Sequence, residues 1–96
     1  MKPSLALEAN KEAVRALVTK HRAANPRVFG SVVRGEDGEG SDLDILVDIS
    51  PKTSLLDLCA LQDELEKLLG VKVDVSVPDN LRPRIFAHAM AEAKPL

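Results

Sequence analysis

The sequence predicts an α/β (α+β) domain: a small mixed three-stranded sheet with helices packed on one face. Three observations carry that prediction. Leu43–Ile49 and Val71–Val77 are short runs rich in β-branched residues and leucine, with the alternation of strands. Between them, Ser54–Leu69 repeats leucine at helical spacing. Ser4–Ala24 supplies another amphipathic helix ahead of the first strand. The order is then α-β-(α)-β-α-β-α, and helices with apolar stripes need a sheet to bury them.

In the first helix, Leu7, Val14, Leu17, Val18 and His21 share a stripe, while Lys11, Arg15 and Arg22 lie off it. His21 sits at the stripe's edge and reads as a partly buried or surface residue. Asn25-Pro26 ends this helix, because a residue before proline avoids the helical region. Arg27–Phe29 is a short strand closed by Gly30, and Ser31–Gly35 is one helical turn. Glu36–Gly40 is loop. Leu43–Ile49 is the second strand, closed by Pro51.

Ser54 caps the next helix, with Asp57 in the capping-box position. Its expected buried stripe is Leu55, Leu58, Leu61, Leu65, Leu68 and Leu69, and Gly70 terminates it. Val71–Val77 is the third strand, Pro78-Asp79-Asn80 a turn, and Pro83–Ala93 the last helix. No repeat or linker divides the chain, so residues 1–96 form a single domain.

Composition narrows the function. There are 13 basic and 15 acidic residues, a net charge of −2, which argues against a dedicated nucleic-acid binder. Phe29 and Phe86 are the only aromatic residues, so platforms for base stacking are scarce. The lone Cys59 forms no intrachain disulfide and suits a reducing cytoplasm. No apolar run approaches a membrane span, and no signal-peptide core opens the chain.

The acidic residues of the strands hold the most chemical information. Side chains alternate between faces, so Leu43, Ile45 and Val47 point one way while Asp42 and Asp44 point the other. The third strand repeats the pattern, with Val71, Val73, Val75 and Val77 opposite Lys72, Asp74 and Ser76. If the two strands are neighbours with apolar faces aligned, Asp74 lies beside Asp42 and Asp44. Three such carboxylates repel one another and raise each other's pKa. A hard divalent cation relieves that repulsion, and magnesium takes a few carboxylates with substrate phosphates completing its shell. Asp48 shares their parity but lies about 13 Å along the strand from Asp44, at roughly 3.3 Å per residue, too far to join them.

Gly30-Ser31 supplies the phosphate side. A glycine lets a phosphate approach the backbone, and a serine hydroxyl with free N–H groups suits an anion. Gly30 lies at the exit of one strand and Asp42 at the entrance of the next, so antiparallel pairing brings them together. Two other motifs are excluded. The chain has no GxxxxGK[ST] phosphate loop. An EF-hand frame starting at Asp37 puts Asp42 where glycine is required.

Gly30-Ser31, ten intervening residues, Asp42-Leu43-Asp44 and a later Asp74 together resemble the nucleotidyltransferase superfamily that includes DNA polymerase beta. "FGSVVRGEDGEGSDLDILVD" is similar, more narrowly, to the minimal nucleotidyltransferases of toxin-antitoxin modules. The resemblance implies the nucleotidyltransferase fold, catalytic and metal-binding roles for Asp42, Asp44 and Asp74, and nucleotide binding by Gly30, Ser31 and Arg34. It implies ATP as substrate with magnesium, two ions, as cofactor. It further implies a HEPN-type ribonuclease toxin as partner, silenced by transfer of AMP to a hydroxyl, usually a tyrosine. This chain has no tyrosine, so a tyrosine acceptor must come from another molecule. Two alternatives stand beside this expectation: a non-catalytic antitoxin that masks the toxin, and a small-molecule nucleotidyltransferase. The missing substrate domain counts against the second.

Overall fold

A computed structural model describes residues 2–96. The elements run α1 (Pro3–Ala9), α2 (Lys11–Lys20), β1 (Ala23–Phe29), α3 (Ser31–Arg34), β2 (Leu43–Ile49), α4 (Leu55–Leu69), β3 (Val73–Ser76), a 3-10 turn (Pro78–Asn80), α5 (Pro83–Glu92) and β4 (Lys94–Pro95). The sheet order is β3-β2-β1-β4. β1 runs antiparallel to β2 and to β4, and β2 runs parallel to β3 with α4 as the crossover. The mixed α/β class is as expected, but the sheet has four strands rather than three. The extra strand is the pair Lys94-Pro95, which lies against Arg27 and Val28. Two residues, one of them proline, carry no periodicity to read.

The opening helix is broken in two. Asn10 takes φ −131° and ψ 20°, and its side-chain amide donates to the Ala6 carbonyl at 2.8 Å. It thereby closes α1, while its own carbonyl accepts from Val14 at the start of α2. α2 then stops at Lys20, earlier than Asn25-Pro26 suggested. Arg22 makes the turn with φ +64°, where a glycine would have been the visible signal. Ala23 and Ala24 therefore belong to β1. Asn25-Pro26 forms a bulge in that strand: Ala24 pairs with Asp48 and Arg27 with Leu46, leaving one extra residue on β1.

Leu43, Ile45 and Val47 of β2 are fully buried, as the alternation required. They meet Val28 and Val73 from the sheet and Leu7, Val14, Val18, Leu61, Leu65 and Leu69 from the helices in one cluster. The α4 stripe is narrower than its leucines suggested. Leu61, Leu65 and Leu69 are buried, whereas Leu55 is 75% exposed and Leu68 37%. Leu55 lies in the first turn, beyond the reach of the core. The Ser54–Asp57 capping box is present in both directions, and Gly70 ends the helix at φ +68°.

α4 also guards the open edge of the sheet. Glu66 Oε2 accepts from the Val73 N–H at 3.0 Å and Gln62 Oε1 from the Val75 N–H at 3.1 Å. These donors would otherwise be free to pair with another chain's strand. At the other end of β2, Arg27 donates to Asp48 Oδ1 and to the Asn25 carbonyl, which ties the bulge to the sheet. Among the described residues, no helix is long and apolar enough to cross a membrane.

Candidate active site

Antiparallel pairing of β1 with β2 places Phe29 opposite Asp44, so Gly30 leaves β1 directly at that carboxylate. The approach is close enough that a side chain at Gly30 would push the Asp44 carboxylate aside. A Cβ there would sit 2.3 Å from Asp44 Oδ2. Gly30 also has φ 82° and ψ −152°, a conformation open essentially to glycine alone. The glycine of the Gly-Ser pair is thus fixed by two independent constraints, one steric and one torsional.

Parallel pairing of β2 with β3 places Asp44 directly opposite Asp74, as the aligned apolar faces required. Asp42 precedes β2 by one residue and shares the parity of Asp44. The loop that delivers it is tethered: the buried Asp37 accepts from the Ser4 N–H at 2.9 Å, and Ser41 Oγ accepts from the Gly38 N–H at 2.9 Å. The Ser4 N–H holds the Asp37 carboxyl below its ordinary value. Ser31 and Arg34 begin and end the single turn α3 that follows Gly30.

The electrostatics of the three aspartates are unbalanced. Asp44 is half-buried, and its pKa is pushed up to about 6 by that burial and by the charges of Asp74 and Asp42. Arg34 offsets this only in part. Among the described residues, no three His, Cys, Asp or Glu side chains are gathered tightly enough to hold a metal ion as they stand. The backbone register nevertheless sets Asp44 opposite Asp74. All-oxygen donors, one of them raised in pKa by burial and by its neighbours, suit a hard divalent cation such as magnesium. A groove of about 410 Å³ lies elsewhere, between α4 and the outer edge of β3, and none of these residues lines it. The aspartates occupy an open shelf instead.

One charged residue at this site escaped the sequence reading. Glu92, at the end of α5, accepts from the Gly30 N–H at 2.9 Å and from Arg34 Nη1 at 3.1 and 3.0 Å. Arg34 Nε donates to Glu36 Oε1 at 2.5 Å. Burial works against the Glu92 charge, but the Gly30 N–H and Arg34 hold its carboxyl below its ordinary value. A signal was present: Glu92 is the only acidic residue of α5, and it lies three residues beyond Ala89, the buried position of that helix.

The profile of the nucleotidyltransferase domain family matches residues 10–94. The chain belongs to that family. It is 39% identical over 83 residues to a Methanocaldococcus jannaschii protein assigned by name to the protein adenylyltransferases, covering 86% of this chain and 89% of the relative. It is 46% identical over 65 residues to the protein adenylyltransferase MntA of Thermococcus cleftensis, covering 68% of this chain and 66% of the relative. A solved structure described as a minimal nucleotidyltransferase superposes with a TM-score of 0.86 at 46% identity, covering 97% of this chain and 95% of the other. More distant structures share the fold. One is a toxin-antitoxin complex with AMP-PNP, with a TM-score of 0.77 at 19% identity, covering 90% of this chain and 71% of the other. Another is the MNT antitoxin bound to the tri-AMPylated HEPN toxin of Shewanella oneidensis, with a TM-score of 0.69 at 17% identity, covering 92% and 69%. Nucleotidyl transfer is therefore the activity of this fold here.

A pH dependence follows from the shelf. The folded pKa of Asp44, about 6, lies above its ordinary value of 3.8. The native state then binds more protons than the unfolded chain between these values, so this group lowers stability as pH rises through that interval. Comparing thermal unfolding of the wild type with Asp44→Asn from pH 4 to 7 isolates the effect. The variant should gain on the wild type as pH rises and hold a constant lead above about pH 7. A lead independent of pH would mean that Asp44 is not the strained group.

Proposed function

We propose that this protein is a magnesium-dependent protein adenylyltransferase of the cytoplasm, a single domain over residues 1–96. On this reading it acts as an antitoxin, transferring AMP from ATP to a hydroxyl, most simply a tyrosine's, of a cognate HEPN ribonuclease toxin. The observation that carries the proposal is the register of Asp44 opposite Asp74, with Gly30 against Asp44, on a face shared by Asp42. The names of the relatives and the toxin-antitoxin structures of the same fold support the choice of acceptor.

Asp42, Asp44 and Asp74 would hold the metal. When bound, magnesium neutralises charge on the phosphates and orients attacking and leaving oxygens in line. Gly30 presents its backbone to the triphosphate without a side chain in the way. Ser31 and Arg34, on the turn that follows, supply a hydroxyl and a guanidinium on the same side. The acceptor oxygen attacks the α-phosphorus, the bond to the bridging oxygen breaks, and pyrophosphate leaves. Asp74 is exposed and, by analogy with the larger enzymes of the family, would take the hydroxyl's proton. The chain has no tyrosine, so a tyrosine acceptor belongs to another molecule. Positioning and electrostatics account for most of what such a transfer requires.

A second reading, inhibition by masking, draws on a different observation. Leu55 and Leu56 on α4, and Ile85, Phe86 and Met90 on α5, are exposed apolar residues that could dock a partner. The two readings separate by stoichiometry. The cognate toxin's ribonuclease activity is assayed after incubation with ATP, magnesium and one-tenth molar equivalent of this protein, followed by separation of the two. Transfer predicts a toxin that stays silent after separation. Masking predicts a toxin that is almost fully active throughout.

A further inference from the structure

Glu92 occupies the place that the proposed function gives to a phosphate. Its carboxylate takes the Gly30 N–H at 2.9 Å and both its oxygens face Arg34 Nη1. Those are charge-assisted bonds from the donors expected to receive a nucleotide. The carboxylate is well enclosed, with 15% of the side chain exposed. Arg34 is doubly engaged, because its Nε is committed to Glu36.

The Gly30 N–H is a single donor. It cannot serve Glu92 and a phosphate oxygen together, and a carboxylate left beside an incoming triphosphate would repel it. Ala89 is the one buried residue of α5, while Ile85, Phe86 and Met90 remain partly exposed. The backbone just beyond Glu92 is held to β1 by β4, so what can yield to a phosphate is the Glu92 side chain.

We propose that Glu92 is an internal stand-in for a phosphate group: it holds Gly30 and Arg34 in their anion-binding arrangement and must be displaced when a nucleoside triphosphate binds. The inference rests on the nucleotidyltransferase reading of Gly30 and Arg34. Glu92 is then an affinity-setting residue. It keeps the donors arranged in the empty protein, and it charges every nucleotide the free energy of its own removal. A protein whose competent state is only partly populated binds with an affinity reduced by that fraction.

The test is calorimetric titration of wild type and Glu92→Gln with AMP-PNP and magnesium. Glutamine keeps the size of the side chain but removes its charge. The variant should bind roughly three- to tenfold more tightly. Equal or weaker binding by the variant would overturn the inference, because displacement of Glu92 would then carry no cost to the nucleotide. If neither protein binds, the nucleotide reading of the site falls, and this inference with it. A measurement on the wild type alone guards against a misfolded variant. On addition of AMP-PNP and magnesium, both the Gly30 amide and the Glu92 carboxyl carbon resonances should shift as the bond between them breaks. A Glu92 resonance that stays fixed at saturating nucleotide overturns the inference.

Discussion

An Asp44→Asn variant should fold, melt slightly above the wild type, and transfer nucleotide at a rate lower by roughly a hundredfold or more. The two halves of this expectation share one cause. Asp44 is half-buried beside Asp74 and Asp42, and burial together with their charges raises its pKa to about 6. Without a cation, the charge is a liability to the fold. On the proposed reading, it is the charge that would help hold magnesium and a triphosphate. Asparagine keeps the shape and removes the negative charge. After allowance for solvent screening of a half-exposed group, relief of the repulsion should stabilise the apo protein by about 1 kcal/mol, a rise in Tm of roughly 4–8 °C. Thermal unfolding and labelled-ATP transfer assays check the two halves separately. Lost activity with a lower Tm would mean that Asp44 is a structural residue, and retained activity would remove it from the catalytic site.

Gly30→Ala should damage fold and function together. The new Cβ would meet Asp44 Oδ2 at 2.3 Å. The residue would also hold φ 82° and ψ −152°, a torsional cost on the order of 1–3 kcal/mol for anything but glycine. That is a large fraction of the roughly 5–15 kcal/mol by which a small domain is stable, and Tm should fall by about 5–20 °C. Even where the variant folds, Asp44 must turn away from Gly30, so transfer should be lost at temperatures well below the new melting point. Normal activity at low temperature would show that the close approach of Gly30 to Asp44 is incidental.

Much of this site could be read from residues in order. The parity of Asp42 and Asp44 against Leu43, Ile45 and Val47 depends only on strand alternation, and Leu43–Ile49 is bounded as Pro51 suggested. The same alternation in β3, joined to β2 through α4, makes Asp74 the register partner of Asp44. What could not be read depends on contacts distant in sequence or on rare backbone torsions. Asn10 splits the first helix by bonding back to Ala6, and Arg22 turns the chain at a positive φ without being glycine. Lys94-Pro95 is a strand only because Arg27 and Val28 lie beside it. Leu46 has the parity of Asp44 yet is fully buried, so the carboxylate face carries apolar packing that alternation alone does not announce. Glu92 reaches Gly30 across 62 residues of sequence, and no local pattern encodes that bond.

On the proposed reading, the aspartate shelf transfers AMP to another protein. The most direct measurement is the intact mass of the cognate HEPN toxin after incubation with ATP, magnesium and substoichiometric amounts of this protein. The toxin should gain one or more AMP units, the added mass should map to a hydroxyl-bearing side chain, and the Asp44→Asn variant should add nothing. An unchanged toxin mass, together with full protection by stoichiometric Asp44→Asn, would contradict it and leave a protein that works by masking.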